Sequence, residues 1–247
     1  EHSDEERQHP PMWRYWRALP PKGKIGVFFG SWYTAPIVER ALGKTKASQL
    51  NQHIHAINHF ETMLSNEGAL IIKLWFHLSK AAQKQRLKAL EKNPKTQWRV
   101  TKQDWENYKL YDKFRKVSEH TLLATNNGHA PWLVIEGNDA RYRSLTAGKI
   151  LLEALRKRLD HTAKTVPANA APLQASIDHL DLFDKLDMTQ QMSDKKFAAE
   201  LEKYQGKLNL LTRDPRFAKL SVIAAFEGSD AAGKGGAIRR ITGALDA

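Results

Sequence analysis

FEGSDAAGKGGAIRRITGALDA, residues 226–247, follows the apolar run Ser221–Phe226 (SVIAAF), and the two together predict a strand, a tight glycine loop and a helix. Gly228 to Lys234 fits G-x-x-x-x-G-K. The glycines let the backbone curl so that the N–H groups of Gly228, Ser229, Ala231, Ala232, Gly233, Gly235 and Gly236 can point at phosphate oxygens. The helix that follows adds its positive end, and Lys234 adds a mobile charge for the outer phosphates. One feature departs from the usual loop: Lys234 is followed by Gly235-Gly236, not by Ser or Thr, so the hydroxyl that commonly holds Mg²⁺ is missing. Asp230, inside the loop, is the hard oxygen donor placed to replace it and is the candidate metal ligand. Asp230 and Lys234 are the candidate catalytic residues. Arg239 and Arg240 lie five and six residues beyond Lys234, and helical geometry lets one of them face bound phosphate bidentately.

Upstream, three apolar runs predict buried strands: Ile25–Phe29 (IGVFF), Ala69–Phe76 (ALIIKLWF) and Trp132–Ile135 (WLVI). Helical patterns alternate with them. Ala47–Leu64 repeats Leu50, Ile54, Ile57 and Leu64; Ser79 can cap Lys80–Lys92; Thr101–Asp104 reads as a capping box opening one long helix to about Thr125; Asn138 or Asp139 can cap a helix through Leu159; and Phe197–Leu211 is amphipathic before Asp214-Pro215 breaks it. Strands alternating with helices predict an α/β fold, a parallel sheet sandwiched between helices. Some fifty residues separate the second and third strands, more than a crossover needs, which predicts an inserted helical hairpin standing off the sheet.

The 247 residues carry 39 Lys and Arg against 27 Asp and Glu, a formal charge of +12, and no cysteine. The charge calls for a polyanionic partner, and the absence of cysteine excludes disulfides, thiolate metal sites and a thiol nucleophile. No apolar run reaches the length of a membrane span. Lys80–Ser118 holds twelve Lys or Arg and four Asp or Glu, so an excess of eight is concentrated in the hairpin. Such a run is either a solvated face or a phosphate-gripping lid. His55 and His59 share a helix face near His53 but have neither the Glu of a zinc-protease motif nor a third placed ligand. Asp139 and Arg141 stand at a strand end, where a helix cap and a ligand site are both plausible readings. Trp98, Trp105 and Tyr108 are expected to pack between the hairpin helices.

FEGSDAAGKGGAIRRIT, with Asp in the loop and Gly after Lys, resembles the second polyphosphate kinase family. So do YQGKLNLLTRDPRF (204–217), WRYWRALPPKGKIGVFFGSWY (13–33), KTQWRVTKQDWENY (95–108) and APWLVIEGNDARY (130–142). Their order resembles the tandem subgroup, the polyphosphate:AMP phosphotransferases, with two fused kinase domains. The resemblance implies a P-loop kinase-like fold, phosphoryl transfer from inorganic polyphosphate to a nucleotide (AMP to ADP), Mg²⁺ as cofactor and a cytoplasmic, membrane-free protein. It leaves room for a homo-oligomer and argues against nucleic acid as the partner. It further implies that the chain is an internal fragment. On that reading residues 1–160 are the later part of a first, degenerate domain with its lid at about 80–128, 161–198 a linker, and 199–247 the start of a second, catalytic domain. Members carry Asp-Arg before Ser-Trp-Tyr; here Phe29 and Gly30 precede Ser31-Trp32-Tyr33, so the first copy should lack family-like chemistry and the chain alone should be inactive. The rival from another class is a non-catalytic module binding polyphosphate or RNA by charge.

Overall fold

The structure, a computed structural model, describes residues 4–10, 12–161, 183–184 and 186–245. Strands β1 (Ile25–Phe29), β2 (Leu70–His77), β3 (Trp132–Glu136) and β4 (Val222–Gly228) form an all-parallel sheet in the order β1-β4-β2-β3. The longer helices are α1 (Thr34–Ala41), α2 (Ala47–Asn66), α3 (Lys80–Lys92), α4 (Lys102–Lys109), α5 (Tyr111–Ala124), α6 (Ala140–His161), α7 (Asp194–Thr212) and α8 (Lys234–Thr242). Among the described residues no helix is long and apolar enough to cross a membrane.

Side chains alternate across the two central strands, which is why both read as unbroken apolar runs. Ile72, Leu74 and Phe76 of β2 and Val222, Ala224 and Phe226 of β4 pack under α6, α7 and α8. Ile71, Trp75 and Ile223 point the other way, into a core closed by α1, α2 and α5. In sequence, residues 199–247 follow the 161–198 stretch; in space they contribute β4, which pairs with β1 on one side and β2 on the other, so both segments share one sheet. Residues 162–182 and 185 of the expected linker lie outside the described residues. Its end is helical: Ser193 accepts from the Lys196 N–H and opens α7 at Asp194, ahead of the expected Phe197.

The caps explain where elements start. Ser79 Oγ accepts from the Ala82 N–H at 3.2 Å, Thr101 and Asp104 form the expected box, and Asp139 Oδ1 accepts from the N–H groups of Arg141 and Tyr142 at 3.0 and 2.6 Å. The single helix expected from Thr101 to Thr125 is instead two, α4 and α5, parted at Leu110 (φ −91°, ψ 7°). The cause is tertiary: the Tyr111 hydroxyl donates to Leu78 O at 2.8 Å, pinning the first residue of α5 to the end of β2. The hairpin also does not stand free. Leu87 is 2% exposed and Gln83 Nε2 donates to Asp230 O, so α3 lies against the glycine loop. Trp105 and Tyr108 meet edge to face at 5.8 Å, whereas Trp98 is 72% exposed, its indole donating to Lys95 O, and is not packed between helices as expected.

Candidate active site

All four strands end at the same edge of the sheet, where doubly wound folds gather ligands. Phe29, His77, Glu136 and the 228–234 loop meet there. The backbone of the loop requires its glycines. Gly228 has φ +137°, and a Cβ on it would fall 2.1 Å from Phe76 O; Gly233, the N-cap of α8, has φ +87°, and a Cβ there would collide with the Arg143 guanidinium at 2.0 Å. Ser229, Asp230, Ala231, Ala232, Gly235 and Gly236 complete the turn into α8, the Ala232 N–H donating to Ser229 O and the Gly236 N–H to Gly233 O.

Lys234 Nζ donates to Gly228 O at 2.6 Å and Ser229 O at 3.0 Å, folded back over its own loop, and sits 5.8 Å from the centre of the Phe29 ring. Burial lowers its pKa, against the pull of Asp230 and Glu227. The penultimate residue of β4, Glu227, is buried. Its Oε1 accepts from Ser31 N at 2.6 Å, Ser31 Oγ at 2.7 Å and Thr34 Oγ1 at 3.0 Å; burial raises its pKa while those donors hold it down. Glu227 thereby ties the start of α1 to the loop. Asp230 is exposed, and its Oδ2 accepts from Asn107 Nδ2 of α4 at 3.2 Å. No group of three metal-ligating side chains occurs among the described residues, His53, His55 and His59 included. Asp230 is an exposed carboxylate in the loop, an oxygen donor of the type that Mg²⁺ takes beside phosphate oxygens.

Of the two arginines after the loop, Arg239 is exposed. Arg240 is half-buried, donating to Gly236 O at 2.8 Å and lying 5.5 Å above the Phe197 ring. Two further arginines complete the cationic wall. Arg86 of α3 donates to the carbonyls of Ala231, Gly137 (3.1 Å) and Asn138 (2.6 Å). Arg143 of α6 donates to Gly137 O at 2.8 Å, while its buried Nε has no partner. Burial, then the Arg86 and Arg240 charges, bring the Arg143 pKa down to about 10. Sequence reasoning missed both. Arg86 is one cation in a run of twelve, and Arg141, two residues before Arg143, turns away to Asp194 (2.6 Å) and Met192 O. Asp139 serves as a cap, and the buried Glu136 Oε2 beneath it has no partner.

Beside the loop lies a cavity of about 340 Å³, within the range of small-ligand pockets. Phe29, Ile37, Val38, Trp75, Phe114 and Phe183 give it an apolar lining, and Gly228–Asp230, Lys234 and Arg115 a polar one. His77 lines it too, 6% exposed, its pKa lowered to about 4 by burial and then by Arg115, against Asp184. A histidine near 6.5 when unfolded and about 4 when folded binds its proton more readily in the unfolded chain. Its contribution is whole above pH 6.5 and is lost as pH falls towards 4, at up to about 1.4 kcal/mol per pH unit. Urea unfolding of parent and His77→Gln at pH 7.5 and 5 should show the parent losing more stability between the two; equal losses would contradict this.

The family model of Polyphosphate kinase 2 (PPK2) matches residues 1–163 and 191–247. The chain is 50% identical over 246 residues to a polyphosphate:AMP phosphotransferase of Pseudomonas aeruginosa (strain PAO1), covering 99% of this chain and 49% of the relative. It is 46% identical over 248 residues to the protein of that name from Pseudomonas syringae pv. tomato (strain DC3000), again over 99% and 49%. The crystal structure of a polyphosphate kinase 2 from Pseudomonas aeruginosa PA01 superposes with a TM-score of 0.55 and 43% identity, over 100% of this chain and 47% of that one. The chain thus spans about half the length of these relatives. With the glycine loop, the parallel sheet and the cationic wall in place, the family match over most of the sequence means that this chain belongs to the polyphosphate kinase 2 family.

Proposed function

We propose that this chain is part of an enzyme that moves a terminal phosphoryl group between inorganic polyphosphate and a nucleotide, from polyphosphate to AMP giving ADP. The observation that carries the reading is the closure of the basic hairpin on the glycine loop. Arg86, Gln83 and Asn107 reach Ala231 and Asp230 directly, so the most cationic sixth of the chain lies against the glycine loop. An oxygen of the acceptor phosphate forms a new P–O bond as the bond to the next phosphate of the polymer breaks, leaving the polymer one unit shorter. Such a transfer asks the protein mainly for positioning and charge neutralisation. Lys234 and the N-terminus of α8 meet the transferring group, Arg86, Arg143 and Arg240 meet the polymer, and Asp230 holds Mg²⁺, which when bound screens the phosphate charges. A cavity beside the loop suits a small acceptor, and a purely electrostatic RNA binder has no use for one. We place the 1–160, 161–198 and 199–247 segments in a tandem-domain protein, as the coverage of the relatives supports. Around this loop Phe29 and Gly30 stand where family members carry Asp-Arg, so the chain alone turns over no substrate.

Lys84, Lys88, Arg99 and Lys102 are exposed and can be changed to Gln without opening a core. That variant should bind polyphosphate more weakly, with a log–log salt slope smaller by about one for each phosphate that the hairpin no longer neutralises. Titration at several salt concentrations with RNA in parallel, and ADP formation followed in the longer protein carrying the same changes, tests the reading. Unchanged affinity and slope would show that the hairpin is not a polyphosphate lid, and RNA bound as tightly as polyphosphate, with both falling together, would move the assignment to a general polyanion binder.

A further inference from the structure

Trp75 and His77 are two residues apart on β2, so their rings stand on one face of the sheet. Phe183 lies flat over both, 4.4 Å and 10° from the His77 ring and 5.9 Å and 19° from Trp75. The other aromatic contacts of this core are tilted or edge-on: 89° for Trp32–Phe60, 66° for Tyr33–Trp132 and 81° for Trp75–Trp132. The slot over β2 is therefore shaped for a flat ring. It is also placed for one particular kind of ligand. Trp75 pairs with Glu227 and Phe76 with Gly228 on the neighbouring strand, so the slot lies one strand spacing, about 4.8 Å, from the strand that feeds the phosphate loop. Trp75, His77 and Phe183 all line the cavity that Gly228 and Lys234 also line.

Phe183 is 3% exposed and packs in the core that Trp75, Trp132 and Leu122 share, while few polar contacts hold its segment. Asp184 Oδ1 accepts from Arg115 Nη2 at 2.7 Å, and the Leu186 N–H donates to Phe183 O at 3.3 Å. These polar contacts are an ion pair open to solvent and one turn of backbone, so the ring is kept in place mainly by apolar packing, which a competing flat ring can replace.

We propose that the Trp75–His77 face is a nucleobase-stacking subsite and that Phe183 is a tethered ring filling it, which a nucleotide must displace to seat its base with its phosphate on the 228–234 loop. This rests on the nucleotide reading above. The cost of displacement lowers the apparent affinity for any nucleotide, as every occluded site does. It falls on ligands with a planar base and spares those that carry only phosphate.

Binding of AMP, ribose 5-phosphate and tripolyphosphate to the 247-residue chain, measured by equilibrium dialysis for the parent, Phe183→Ala and Phe183→Leu, tests this. Removing the competing ring should tighten AMP by about tenfold, the lower part of the range that base stacking supplies, and leave the other two ligands unchanged. Leucine keeps apolar bulk without a flat face and guards against loss of fold in the alanine variant. A further reading comes from the parent itself: AMP, and not ribose 5-phosphate, should speed amide hydrogen exchange at Phe183, Asp184 and Leu186. AMP affinity equal to or below the parent's in the folded variants, or unchanged exchange in the parent, would overturn the proposal and leave the nucleotide reading standing. If every form bound tripolyphosphate and none bound AMP, the nucleotide reading would fail and this proposal with it.

Discussion

Lys234→Ala in the longer protein is expected to lower polyphosphate-dependent ADP formation by about 10²–10³-fold, the usual cost of removing one charge contact made to a transition state. The structure shows why the loss should be catalytic. In the resting loop Lys234 Nζ donates to the Gly228 and Ser229 carbonyls of its own loop, and its reach to another element is the Phe29 ring of β1 at 5.8 Å. Burial already lowers its pKa, so the site favours the ammonium less than water does, and phosphate oxygens are the partners that would restore it. Urea midpoints of parent and variant should therefore agree closely while kcat falls. Asp230→Ala, which removes an exposed carboxylate bonded to Asn107, should behave in the same way, and higher Mg²⁺ should recover part of its activity. Near-parent turnover in either variant would show that the phosphate loop of this chain is not the catalytic one.

Glu61→Ala should do the reverse, costing about 3–5 kcal/mol of stability, the usual penalty for orphaning one member of a buried ion pair. Lys73 and Glu61 have no exposed side-chain surface and meet at 2.8 Å. Glu61 Oε1 also accepts from Tyr33 Oη at 2.5 Å and Trp32 Nε1 at 3.1 Å, and Lys73 Nζ also donates to Thr125 O at 2.7 Å. The pair thus joins α2, β2, the loop before α1 and the end of α5, with the Lys73 ammonium 5.1 Å from the Trp132 ring centre. Without the carboxylate, a lysine whose pKa burial already lowers would have to shed its proton or stay charged in an apolar core. Changing both residues together, Glu61→Leu with Lys73→Met, should recover most of the loss, because two apolar groups need no partner. Denaturant unfolding of the three variants checks this, and a single variant as stable as the parent would show that water reaches the pair.

Local physics made much of this molecule legible in the sequence. The four strands, the Ser79, Thr101 and Asp139 caps and the phosphate loop are set by residues within a few positions of one another. Apolar period, capping hydroxyls and glycines report such constraints directly. Family likeness followed from the same short motifs.

Tertiary structure alone decided what stands beside what. Nothing in SVIAAFEG states that β4 fills the gap between β1 and β2, because a strand's own residues do not name its neighbours. Lys73 interrupts the apolar run ALIIKLWF, yet its partner Glu61 is twelve residues away on another element. Leu110 parts α4 from α5 because Tyr111 is fastened to β2, a bond that no helical propensity records. Arg86 and Arg143 look like neighbouring cations on their own helices until folding brings both to the loop, and Phe183 sits in a stretch with no apolar period. Sequence patterns determined the elements and the phosphate loop because those depend on spacing along the chain. The cationic wall, the buried pair and the stacked ring waited on the fold because they depend on contacts between distant residues.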